Sequence, residues 1–273
     1  MDDSADPYEV VPFPRNRIIL IDNMELSAHK HHVKGLFELD VAEGRRIIQS
    51  QKEKTGSDIS FTAWIAKCVA QAVTEHKHVH ALRKGKKELI IFDDVDISIP
   101  VEKRHRRETT PYPTVIRKVN EKSVLDITEE IRLAQGKESD EQLEIEGLEK
   151  RSLTMRLSKY FPSFPRFLRN IVYRQLKNPF FVKKTLGTVM VTSVGMFGHS
   201  GGYAIPIAPH PLIVTIGGIA KKPGIVGDKI EPREYLSITV SVDHDTVDGA
   251  PAARFTRRFS ELVESAFGLE GLA

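Results

Sequence analysis

Cysteine is nearly absent from this 273-residue chain. Cys68 is the only one, which excludes an intrachain disulfide framework. It falls on the apolar side of a helical pattern with Phe61, Ile65, Ala72 and Val73, so it reads as a buried thiol rather than a nucleophile. Long apolar runs are missing too, and no stretch reaches the ~18 apolar residues of a spanning helix. The start, Met1-Asp2-Asp3-Ser4-Ala5-Asp6, is acidic and has no apolar core. No secretory or transit signal is read there, and a reducing, cytoplasmic location is expected. Acid is missing from one long stretch. Residues 150–227 hold 12 lysines and arginines and no aspartate or glutamate, whereas 1–149 carry a net −5 and 228–273 a net −4. The overall +3 therefore hides a strongly basic segment.

What is present fits a soluble globular protein with a real core, at 40% hydrophobic and 7% aromatic residues. Residues 34–41, 88–92, 94–101, 187–194, 211–218 and 235–242 read as strands, and 41–54, 61–75 and 122–135 as helices. The helix over 61–75 has apolar residues at 61, 65, 68, 69, 72 and 73, with Ser60 or Asp58 as its N-cap. No internal repeat is visible. The pattern predicts an α/β or α+β chain with a sheet of five or more strands. One domain is expected over 14–266, preceded by a loose arm, 1–13, and followed by a tail, 267–273. A divergent basic aromatic insertion is read at about 136–184.

The most telling segment is Asp243-His244-Asp245-Thr246-Val247-Asp248-Gly249. It joins the alternating run Leu236 to Val242 to an amphipathic segment with Ala252, Phe255, Phe259, Leu262, Val263 and Ala266 on one side. A histidine held at a strand end suits proton transfer near neutral pH, its ordinary pKa being near 6.5. The spacing alone leaves a second reading open, an exposed turn histidine followed by a capping aspartate.

This stretch resembles the H-x-x-x-D-G signature of the dihydrolipoamide acyltransferase and chloramphenicol acetyltransferase superfamily. Further segments follow in the same order. Ser60-Phe61-Thr62-Ala63-Trp64-Ile65-Ala66-Lys67 resembles that family's first core helix, and Asp94 to Val101 its early central strand. Gly187-Thr188-Val189-Met190-Val191-Thr192-Ser193-Val194-Gly195 resembles its G-T-x-x-[IV]-[ST]-x-x-G segment. The resemblance covers most of 14–100 and 185–266. It implies a two-layer sandwich of a mixed β-sheet covered by helices, assembled as trimers with active sites between subunits. It implies His244 as general base, Thr192 as the hydroxyl that stabilises a tetrahedral oxyanion, and Asp248 as the carboxylate that orders the turn. Ser193 should point to the opposite face of the strand. The implied activity is acyl transfer from a thioester, with coenzyme A or acyl-CoA as substrate and a small molecule or carrier protein as acceptor.

The chain departs from the family in three ways. Asp245 stands where dihydrolipoamide acyltransferases usually carry arginine, so an ion pair built on that arginine is absent or reversed. The glycine- and valine-rich strand expected after Val101 is replaced by Lys103-Arg104-His105-Arg106-Arg107 and then Pro111-Tyr112-Pro113. No lipoyl domain or Asp-Lys-Ala hairpin is seen, so no covalently attached lipoate is expected on this chain. Two other readings stay open on these departures: an inactive scaffold or regulatory subunit, and a complex core served by a separate lipoyl protein.

Other clusters are read as structural. His29-Lys30-His31-His32 and His76-Lys77-His78-Val79-His80 lack cysteine or carboxylate at ligand spacing, so no metal is expected. The basic runs 83–87 and 103–107 have no nucleic-acid module around them and suit solvent or the phosphates of coenzyme A. The stretch 151–184 mixes nine basic residues with Tyr160, Phe161, Phe164, Phe167, Tyr173, Phe180 and Phe181. It reads as a packed hairpin, as a lid bordering the active-site entrance, or as a peripheral membrane contact.

Overall fold

The computed structural model describes residues 8–13, 17–105, 108–136, 164–195 and 201–272. The expected arm over 1–7, most of the insertion (137–163) and part of the glycine-rich loop (196–200) lie outside the described residues. Residues 8–13 form no regular element and are exposed.

Helix α1 (Arg17–Ala28) was not foreseen. Its apolar residues fall around the whole helix rather than on one face, so no periodic signal marks it. Strand β1 (His32–Asp40) follows, then α2 (Ala42–Thr55) and α3 (Phe61–Glu75). Ser60 caps α3 as expected, its Oγ accepting from the Ala63 amide at 3.3 Å, a bond worth about 1 kcal/mol in such positions. Trp64, Ile65, Cys68, Val69, Ala72 and Val73 are fully buried along α3. Gly44 of α2 lies under the Trp64 ring, where an added Cβ would stand 2.1 Å from a ring carbon. A short hairpin, β2 (Leu82–Lys84) and β3 (Glu88–Ile90), precedes β4 (Ile97–His105) and β5 (Glu108–Ile116). Then come α4 (Val124–Gly136), α5 (Arg166–Tyr173), α6 (Pro179–Leu186), β6 (Val189–Ser193), β7 (Leu212–Val226), β8 (Lys229–Asp243) and α7 (Gly249–Glu264).

The main sheet has six strands in the order β1-β8-β7-β6-β4-β5. β6 runs parallel to β4 and β7, and the other pairs are antiparallel, so the sheet is mixed. Helices α2, α3, α4 and α7 pack on one face, with Phe255 and Phe259 of α7 stacked at 6.3 Å between ring centroids. Fully burying each large core side chain is worth about 1.5–3 kcal/mol. Leu269 is fully buried and the Phe267 carbonyl accepts from Trp64 Nε1 at 3.1 Å. Residues 267–272, set apart as a tail in the sequence, thus close the core.

The segment read as a strand ending at Val101 runs on to His105 and returns as β5, pairing Pro100 with Pro113. β5 is an edge strand, where proline costs no ladder partner. β7 and β8 also run longer than expected, because they continue past the sheet as a hairpin that pairs Ile225 with Ile230. At Gly217–Gly218 β7 shifts register. There the Gly218 amide donates to the Gly202 carbonyl at 3.0 Å, and a Cβ on Gly217 would stand 2.1 Å from that oxygen. The backbone at Gly202 therefore lies closer to β7 than any side chain at Gly217 would allow.

Candidate active site

β8 ends at Asp243, and the turn after it is tied down from several sides. Asp243 is fully buried. Its Oδ2 takes Lys30 Nζ at 2.5 Å and its Oδ1 accepts the Asp245 amide at 3.2 Å. Its carbonyl accepts the amides of Thr246 and Val247, each at 3.1 Å. The His244 amide donates to the His31 carbonyl at 2.9 Å. The backbone of His244 is thus fixed while its ring is exposed and hydrogen-bonds to none of the described residues.

Asp245 pairs with His31 Nδ1 at 2.9 Å. That hydrogen bond, outweighing slight burial and helped by the charges of Lys30 and Arg83, holds the Asp245 carboxyl below its usual range. Where an arginine was expected, an acid meets a histidine. Asp248 occupies the N-cap position of α7 but its exposed side chain makes no capping bond. Within the chain, the buried pair Asp243–Lys30 also ties down the turn. Sequence reasoning missed both. A signal was present: Ser237, Thr239, Ser241 and Asp243 alternate along one face of β8, and a carboxylate in a buried stripe requires a cation.

Thr192 lies on β6, in register with Thr215 of β7, which pairs with Thr239 of β8. Val189 and Val191 join the helix-covered core, so alternation turns Thr192 to the opposite face and Ser193 toward the helices. The hydroxyls of Thr215, Thr239 and Ser241 are buried on the Thr192 face, and none finds a hydrogen-bond partner among the described residues. Thr192 is separated from His244 by two strand spacings and five residues along the sheet, roughly 20 Å. One chain does not bring the two together.

Three further histidines, His32, His80 and His210, have protein partners. His32 Nε2 meets the His210 carbonyl at 2.8 Å, and His210 Nε2 meets the Leu186 carbonyl at 3.0 Å. His80 bonds Thr188 Oγ1 at 2.8 Å and the Phe92 carbonyl at 3.1 Å. Burial pushes both His80 and His210 down to about 4, which keeps them neutral at pH 7. Burial also raises the Cys68 thiol far above its usual range, as an inert cysteine requires.

A mixed six-stranded sheet with helices on one face, a histidine turn after its long penultimate element and a hydroxyl strand across the sheet define the class. The chain belongs to the family described as 2-oxoacid dehydrogenases acyltransferase (catalytic domain), whose model matches residues 5–156 and 183–269. Among curated relatives, the lipoamide acyltransferase component of the branched-chain alpha-keto acid dehydrogenase complex of Bacillus subtilis (strain 168) is 25% identical over 268 residues, covering 96% of this chain and 54% of that protein. The chain spans about half the length of the curated relatives it matches. Among solved structures, the cubic core of a pyruvate dehydrogenase multienzyme complex aligns with a TM-score of 0.68 at 22% identity, covering 97% of this chain and 95% of that one. A chloramphenicol acetyltransferase aligns at 0.50 and 12% identity, covering 94% and 98%. At these identities the two structures establish the shared fold.

Proposed function

We propose that this domain transfers an acyl group between a thioester and a thiol, hydroxyl or amine acceptor, in active sites formed between neighbouring subunits of a homotrimer. The donor is an acyl-CoA or an acyl-lipoyl carrier, the latter on a separate polypeptide or a separate domain. His244 takes the proton of the acceptor as it attacks the thioester carbonyl. The carbonyl oxygen becomes an oxyanion, which accepts a hydrogen bond from the Thr192 hydroxyl of the adjoining subunit. Collapse of the tetrahedral intermediate breaks the carbon–sulfur bond, and the imidazolium returns its proton to the leaving thiolate. Asp248 holds the N-cap position that sets the path from the His244 turn into α7.

One observation carries the inter-subunit part of this reading. In this chain the proposed base and the proposed oxyanion donor stand roughly 20 Å apart, two strands and five residues along the sheet. The pair can act together only across a subunit boundary. The test is turnover of acyl-CoA donors by the purified protein, with dihydrolipoamide and lipoyl proteins among the acceptors. Measurable transfer that requires both His244 and Thr192 supports the reading. No donor turned over and no binding of coenzyme A removes it.

A further inference from the structure

Helix α5 meets the rest of the chain through charge. Arg169 forks onto both oxygens of Asp22 in α1, at 2.7 and 3.1 Å, and the Tyr173 hydroxyl donates to the same carboxylate at 2.8 Å. Arg166 pairs with Glu25 one turn further along α1. Burial of Asp22 works to raise its pKa, but the bonds from Arg169 and Tyr173 outweigh it and hold the carboxyl below its usual range. The polar stripe of α5 at 166, 169 and 173 thus faces the protein. Its apolar stripe faces out: Phe167 is 66% exposed, Ile171 58% and Leu168 39%. Phe180, in the first turn of α6, is 57% exposed. This is the reverse of a helix that packs on a core, and such a stripe calls for a cover.

The composition around the stripe indicates which cover. Arg174, Lys177 and Lys184 follow it in sequence, are exposed, and form no ion pair among the described residues. No acid lies anywhere between residues 150 and 227 to neutralise them. The family match passes over 157–182, so the matched family pattern does not account for this stretch. Aromatic and aliphatic side chains rimmed by free cations suit the headgroup boundary of an anionic bilayer. We propose that α5 and the turns leading into α6 dock on an anionic phospholipid surface. Phe167, Leu168 and Ile171 enter the boundary between headgroups and acyl chains, and Arg174, Lys177 and Lys184 meet the lipid phosphates. The surface is peripheral; no helix among the described residues is long and apolar enough to cross a membrane.

Flotation of the full chain with vesicles tests this. Phosphatidylcholine vesicles are compared with vesicles that also contain phosphatidylglycerol, at low and high salt, and light scattering follows the mass of the assembly. The expected result is binding to the phosphatidylglycerol vesicles that falls with salt. Binding should be roughly tenfold weaker or more in Arg174→Gln/Lys177→Gln/Lys184→Gln and in Phe167→Ser/Ile171→Ser, with the mass unchanged. The charge variant keeps the test valid should the serine variant misfold. Three results overturn the proposal: no binding of the unaltered chain to either vesicle, binding of both variants as strong as that of the unaltered chain, or a fall in assembly mass in the serine variant. The last would make the stripe an interface between copies.

Discussion

The His244 turn and the Thr192 strand differ in how far one chain completes them. Around His244, Lys30, His31, Asp243 and Asp245 satisfy one another, and only the imidazole is left pointing to solvent. Around Thr192, the neighbouring hydroxyls of Thr215, Thr239 and Ser241 are buried with no partner among the described residues. Buried hydroxyls without partners are costly, about 1–3 kcal/mol each, and are uncommon in a finished surface. The contrast teaches that the turn is a finished part presented outward, while the strand face keeps polar groups that no described residue satisfies. The proposed inter-subunit site would join the two.

The largest expected break in this contrast is His244→Ala. Acyl transfer should fall by about 10²–10⁴ in rate, with the circular dichroism spectrum and melting temperature unchanged, because the ring makes no bond within the described chain. Thr192→Ala should follow, at about 10²–10³ in kcat, the typical cost of one oxyanion donor. Ser193→Ala, on the helix face, should leave kcat close to that of the unaltered protein. A silent Thr192→Ala beside a damaging Ser193→Ala would mean the strand presents its other face.

Lys30→Ala sharpens the comparison from the finished side. It leaves the Asp243 carboxylate buried without its cation, and unfolding by denaturant should show a loss of about 2–3 kcal/mol, somewhat less than for a fully buried pair because Lys30 is partly exposed. Activity should fall as well, since the His244 turn loses its anchor; the loss should be smaller than for His244→Ala. A stable and fully active Lys30→Ala protein would show that the ion pair orders nothing.

The last prediction concerns acid. His80 and His210 have folded pKa values near 4, below the 6.5 of an unfolded histidine. The unfolded chain therefore binds more protons between these values. Stability is full above about pH 6.5, declines as pH falls toward 4, and is then flat with respect to these two groups. Each contributes on the order of 3 kcal/mol to that decline at most. Melting curves across the window should show it, and a shallower slope in His80→Asn would assign half of it.

Much of this was legible before the fold. The periodic face of α3, the strand alternation into Asp243 and the glycine-bounded strand of Thr192 are local patterns, and each became the element it suggested. What was not legible depends on distant partners. α1 has no apolar face of its own and is held by Arg169 and Tyr173, some 150 residues away in sequence. Lys30 and Asp243 are unremarkable until β1 and β8 pair. The ribbon beyond Val101 is shaped by pairing of β4 with β5, which overrides the charges and prolines that made the stretch look irregular.

The central claim is that the base and the oxyanion donor come from different subunits. Co-expression of His244→Ala with Thr192→Ala tests it most directly. Each variant alone is nearly inactive, but in mixed trimers a site can take an intact His244 from one chain and an intact Thr192 from the next. Random mixing should restore about one quarter of the unaltered activity. Mixed assemblies no more active than the better single variant would contradict the account and return both residues to a single chain.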